Sequence, residues 1–114
     1  MAALTAVVPT NTGTVTAFAA VAASDTVAQS QLGKNGALLL INNGNASSDN
    51  VTISDNGSTP AGNPLTSNQI TDTITTGQAQ VYQLRNEQVN PSTNLITITH
   101  SVTATVTYQL FTLP

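Results

Sequence analysis

The sequence predicts an all-β fold: an antiparallel β-sandwich, jelly-roll-like, behind an extended N-terminal arm. Three observations predict it. Residues 94–113 alternate almost without fault, with Ile96, Ile98, His100, Val102, Ala104, Val106, Tyr108 and Leu110 on one parity. Thr97, Thr99, Ser101, Thr103, Thr105, Thr107 and Gln109 fill the other. Successive side chains on a strand point to opposite faces, so this pattern gives one buried and one wet face. Turn signals then divide the chain into about seven or eight short segments at the spacing of sandwich strands. No segment of useful length has a helical period.

The elements follow in order. Residues 1–12 read as the arm, set off by Pro9 and the polar Thr10-Asn11-Thr12, and residues 13–114 as one sandwich domain. In residues 13–23, Val15, Ala17, Ala19 and Val21 alternate with Thr14, Thr16 and Phe18. The alanines also allow a helix over 17–23, but the opening Thr-Val-Thr favours a strand. Residues 24–35 are polar and read as a loop, with room for one helical turn at 26–31 that Ser24-Asp25 could cap. Residues 36–43 form a short apolar run between turn residues, as a strand buried on both faces does. Asn43-Gly44-Asn45 turns the chain, and residues 50–55 form a brief strand with Val51 and Ile53 on one face. Asn56-Gly57 is a strong turn dipeptide, and Pro60, Gly62 and Pro64 make residues 58–67 a loop. Residues 69–75 alternate with Ile70, Asp72 and Ile74 on one face. Thr76-Gly77 turns, and residues 78–84 place Ala79 and Val81 opposite Tyr82 and Leu84. Residues 85–93 form a polar loop marked by Pro91.

Size limits the last stretch. As a single strand, residues 96–110 would span roughly 50 Å at ~3.4 Å per residue. A domain of this length has a radius of gyration near ~13 Å. A hairpin or sharp bend is therefore expected at His100-Ser101.

Composition excludes several functions. The 114 residues hold two basic and five acidic side chains, a net charge of −3, and no cysteine. Lys34 and Arg85 are too few cations to neutralise a nucleic-acid backbone or an anionic membrane. Disulfides and thiolate chemistry are absent. The N-terminus has neither the basic nor the long apolar region of a signal peptide, and no run is long enough to span a bilayer. Solubility rests on hydroxyls and amides, a surface with little charge repulsion against neighbours.

No catalytic, cofactor or metal site is expected. His100 is the only histidine, and Asp25, Asp49, Asp55, Asp72 and Glu87 are scattered in sequence. A catalytic or metal-binding histidine needs partners, so His100 reads as a turn or interface residue. The Asp and Asn residues of 49–56 lack the spacing of a calcium loop and suit turns. Asn45, Asn50 and Asn56 begin glycosylation-type triplets, which chance explains in so Asn- and Thr-rich a chain. Gly33-Lys34-Asn35-Gly36 lacks the spacing of a phosphate-binding loop. With one histidine and one lysine, no nucleophile–base pair emerges, so an enzyme is not expected. Aromatic residues are scarce, which counts against stacking platforms for sugars.

One resemblance remains. The order of residues 36–43, Val51-Thr52-Ile53, a Gly/Pro loop, Thr73-Ile74-Thr75 with Gly77, residues 95–102 and Val106-Thr107-Tyr108 resembles the small head proteins of tailed bacteriophages, the capsid decoration or cement proteins. The likeness runs over residues 13–113 and is one of pattern. It implies a protein made in the host bacterial cytoplasm that binds the outer surface of the virion capsid. Its partner would be the major capsid protein; it would sit as a homotrimer at three-fold positions and stabilise contacts between capsomers. Leu4, Val7 and Val8 of the arm are the candidate capsid or neighbour contacts, through strand addition to a neighbour's edge; fraying is the plain alternative. Two other readings stand beside this one: a receptor- or glycan-binding module of a phage fibre or cell surface, motivated by the polar loop 58–67, and a tail or connector subunit.

Overall fold

The computed structural model describes residues 2–14, 16–55 and 69–113. The strands are β1 (Ala2–Ala3), β2 (Ala19–Ala20), β3 (Ser24–Ala28), β4 (Ala37–Asn43), β5 (Asp49–Ile53), β6 (Ile70–Ile74), β7 (Ala79–Leu84), β8 (Leu95–His100) and β9 (Val106–Thr112). Single 3-10 turns occupy Gln29–Gln31 and Asn86–Gln88. One sheet has the order β1-β3-β8-β5-β6 and the other β2-β9-β4-β7. Apart from the parallel pair β1–β3, every strand pair is antiparallel. From β2 onward the chain changes sheet at every connection except β5–β6. That order is the double-sheet jelly roll expected from the sequence.

Alternation explains the core. Val27, Val51, Ile53, Ile74, Ile96 and Ile98 point inward from one sheet and meet Ala37, Leu39, Ile41, Leu84, Val106 and Leu110 from the other. Two aligned apolar faces interdigitate in this way in a sandwich. The chain does break after His100, and the consequence is larger than a hairpin. β8 and β9 lie in opposite sheets, so both halves of the long alternating stretch bury the same parity in one core.

Three expectations change. Residues 24–28 are a central strand, not a loop: β3 lies between β1 and β8, with Asp25 and Val27 fully buried. A polar residue on the inward parity disguised the alternation. The strand expected over 13–23 shrinks to Ala19–Ala20, paired with Thr107 and Tyr108. β4 is not buried on both faces; Ala37, Leu39, Ile41 and Asn43 are buried, while Leu38 and Leu40 are half-buried on the outer face. The turn at Asn56-Gly57 and the loop over 58–67 lie outside the described residues.

The arm is extended but does not stand off. Leu4 N donates to Thr26 O, Thr5 N to Tyr108 Oη, Ala6 N to Gln31 Oε1 and Val7 N to Leu110 O. Four successive amides thus carry the arm from one sheet to the other and close that side of the sandwich.

Parity makes a direct prediction. Ile98→Ala should cost ~2–5 kcal/mol in urea unfolding, the cost of a buried cavity. Thr99→Ala, one residue along on the outer face, should change stability by no more than ~0.5 kcal/mol.

Candidate functional site

The same parity that builds the core carries three ionisable residues into it. Asp25 lies two residues before Val27, Asp49 two before Val51, and His100 two after Ile98, so all three point inward. β3, β8 and β5 are neighbours, which places the three in one layer at the end where the β2–β3, β4–β5 and β8–β9 connections cross between the sheets. His100 Nδ1 is 2.7 Å from Asp49 Oδ2, and Nε2 is 3.9 Å from Asp25 Oδ2. The imidazole is 1% exposed and both carboxylates 0%.

The remaining carboxylate capacity goes to main chain. Both oxygens of Asp25 accept from Ala22 N, at 3.2 and 3.1 Å. Asp49 Oδ1 accepts from Ser101 N at 3.0 Å and Val102 N at 3.4 Å. Asn43 completes the layer from the opposite sheet: its Nδ2 donates to Ile74 O and Ser47 O, and its Oδ1 accepts from Asn45 N. Each of these side chains ties down a connection between the sheets. A buried backbone N–H without a partner is costly, and the short connections offer few partners of their own.

His100 is therefore not a turn or interface residue; it is the centre of a buried polar layer. The sequence carried the signal, since His100 keeps the apolar parity. Its partners lie 51 and 75 positions away, a separation that only the strand order brings together. Asp49 likewise serves the core layer rather than a turn. The buried cluster spends its hydrogen bonds on the chain's own connections. Among the described residues no group of three or more histidine, cysteine or acidic side chains could hold a metal.

The side of the sandwich between β6 and β7 has its own lock. Tyr82 Oη is 2.7 Å from Asp72 Oδ2 and 2.9 Å from Gln80 Oε1. Its single proton serves the carboxylate. Burial first, then the hydrogen bond and charge of Asp72 and the charge of Asp49, raise the Tyr82 phenol well above its ordinary value of 10.0.

The arm residues fare differently from one another. Leu4 is 5% exposed and belongs to this chain's own core. Val7 bridges to Phe111, and Val8 alone stands out, at 54% exposure. Strand addition by the arm is thus already used within the chain.

An open cleft lies at the other end of the sandwich. Lys34, Asn35, Gln83, Arg85, Asn86 and Glu87 line it. Both basic residues of the chain are here. Among the described residues neither is within ion-pairing distance of a carboxylate. The Gly33–Gly36 turn presents Lys34, and its shape leaves no choice at the glycines. A Cβ on Gly33 would sit 2.0 Å from Leu113 O; one on Gly36, where φ is +87°, would sit 1.9 Å from Leu84 O. Asn86 Nδ2 donates to Gly33 O at 3.0 Å, pinning the Arg85 segment to the Lys34 turn. Sequence spacing did not reveal this pairing, because 50 positions separate Asn35 from Arg85 and only the β4–β7 register joins them.

Two predictions test these contacts. His100→Ala or Asp49→Ala should each cost ~3–5 kcal/mol in denaturant unfolding, because the partner is left buried and uncompensated. Replacing both by leucine should cost less than the two single losses added. The second concerns alkaline pH. The folded chain keeps the Tyr82 proton where unfolded tyrosine loses it, so the unfolded state binds fewer protons and stability falls as pH rises. The loss should begin near pH 10, tyrosine's ordinary value, and continue towards the raised folded value. Tyr82→Phe should flatten that decline in a series of urea titrations.

Comparison of the chain with protein-family models, curated proteins and solved structures returns no match at any of the three levels.

Proposed function

We propose that this chain is a structural docking protein of a virus particle, one that lies on the outside of a phage capsid and ties capsomers together. The observation that carries the reading is a difference between the two outer faces of the sandwich. On the five-stranded sheet the outward residues include Thr26, Thr97, Thr99, Asn50, Thr52, Thr71 and Thr73, all uncharged and polar. On the four-stranded sheet Leu38 and Leu40 of β4 point outward, flanked by Phe111 of β9 and Val81 of β7. Leu38 faces Phe111 across one pair, and Leu40 faces Val81 across the other. Val81 is 59% exposed. An apolar strip rimmed by Gln83 and Gln109 has the make-up of an interaction surface.

Low charge supports the same reading. Two basic and five acidic residues in 114 leave hydrogen bonding and apolar burial as the means of attachment. Repetition over a lattice turns many such weak contacts into firm attachment. The resemblance to small head proteins supplies the setting: a homotrimer at three-fold positions on the major capsid protein. The glycan-binding alternative draws less support, since the Lys34–Arg85 cleft is lined by no aromatic ring.

Particles purified from cells that make this chain should contain it by mass spectrometry. Their density map should show it on the outer lattice at three-folds, and particles stripped of it should break at lower temperature or osmotic stress. Recovery only from the lysate, or density only as a ring at the portal vertex, would contradict the reading; the ring would assign the chain to the tail connector.

A further inference from the structure

The four sheet edges are not alike. β1 and β2 are two residues long, and β6 carries Asp72. Short length and an inward charge are devices that keep an edge from pairing with another chain. β7 (Ala79–Leu84) has neither: six residues, with no charge and no proline. Among the described residues no strand pairs with its outer side.

Register says which groups are free there. Asn43 N donates to Gln78 O, and β4 and β7 pair Ala37 with Leu84 through Asn42 with Ala79. Antiparallel pairs alternate between bonded and non-bonded, so Gln78, Gln80, Tyr82 and Leu84 turn their main-chain groups to β4. Ala79, Val81 and Gln83 turn theirs outward. Continuing that parity, Val81, Gln83 and Arg85 present an apolar group, an amide and a cation in succession, and Lys34 closes the end of the row in the shared cleft.

We propose that the free edge of β7 docks an extended segment of a partner protein whose alternate residues are apolar, polar and acidic, the acidic one meeting Arg85 and Lys34. Main-chain bonds supply the pairing and the alternate side chains the selectivity. Charge complementarity selects the occupant. A second copy pairing edge to edge through β7 would bring no carboxylate to Arg85, because β7 has none. The Asn86–Gly33 bond fixes the backbone that carries the two cations before the partner arrives, which lowers the ordering cost. Glu87 also lines the cleft, so a second acid beside the first is disfavoured. The proposal rests on the docking reading above for its setting and adds the chemistry of the partner.

The test is a ¹H–¹⁵N NMR titration of the full chain with a blocked peptide, Thr-Val-Thr-Gln-Thr-Glu-Thr. Shifts should be confined to amides of residues 79–85 and 33–36. Glu→Gln in the peptide, or Arg85→Gln or Lys34→Gln in the protein, should each weaken binding about fivefold. Val81→Pro removes an outward N–H and should abolish binding while the β4 amides Leu39 and Ile41 keep their positions. The two cation variants lie outside the strand, so their result stands whether or not the proline variant folds. No shift along β7 at millimolar peptide, or equal affinity for the Gln peptide, would overturn the proposal. So would a dimer in sedimentation that Val81→Pro dissolves, which would assign the edge to a second copy. On particles the two readings fail separately: absence of the wild-type chain ends the docking reading, whereas equal loading of wild type and the Lys34→Gln, Arg85→Gln double variant ends only this one.

Discussion

The contact between His100 and Asp49, with Asp25 on the other side of the ring, is the constraint on which the sandwich depends. A jelly roll must carry its chain from one sheet to the other again and again, and each crossing exposes main-chain groups at the end of the core. Here the polar layer takes up the amides of Ala22, Ser101 and Val102, while Asn43 holds the adjoining connections. The layer also fixes register. A slip of one residue in β8 would turn His100 outward and leave two buried carboxylates without it. Charged residues are scarce in this chain, yet two of its five acids and its only histidine are placed together out of water.

That arrangement explains both what the sequence showed and what it hid. Where inward residues were apolar, as in Ile96, Ile98, Val106 and Leu110, alternation identified the strand and its buried face. The size limit located the break after His100. Where an inward residue is polar the same reasoning fails: with Asp25 on the inward parity, the segment of β3 reads as a loop. The reason is physical: a polar residue inside a core is signalled by its partners, and those are distant in sequence. The long apolar run of β4 was a true signal of an unusual strand. Its second apolar face, Leu38 and Leu40, proved to be half-buried on the outside instead of covered by another layer. The Lys34–Arg85 cleft was illegible for the same reason as β3, since register alone brings its two halves together.

The fold by itself carries no function, because jelly rolls serve many. What bears on function is the contrast between surfaces. One face is hydroxyl-rich and even; the other carries an apolar strip, an uncharged edge and both cations. The proposed docking would fall on that side.

The central claim is that the buried layer pins the connections between the sheets, and amide hydrogen exchange reads this most directly. Ala22, Ser101 and Val102 should exchange only through near-global opening, as slowly as the core amides of β8. In Asp49→Ala the Val102 amide should lose that protection, while Ser101, which also donates to Asn50 O, and Ala22 keep more of their own. Exchange of all three at the rate of free loop amides in the wild-type chain would contradict the account.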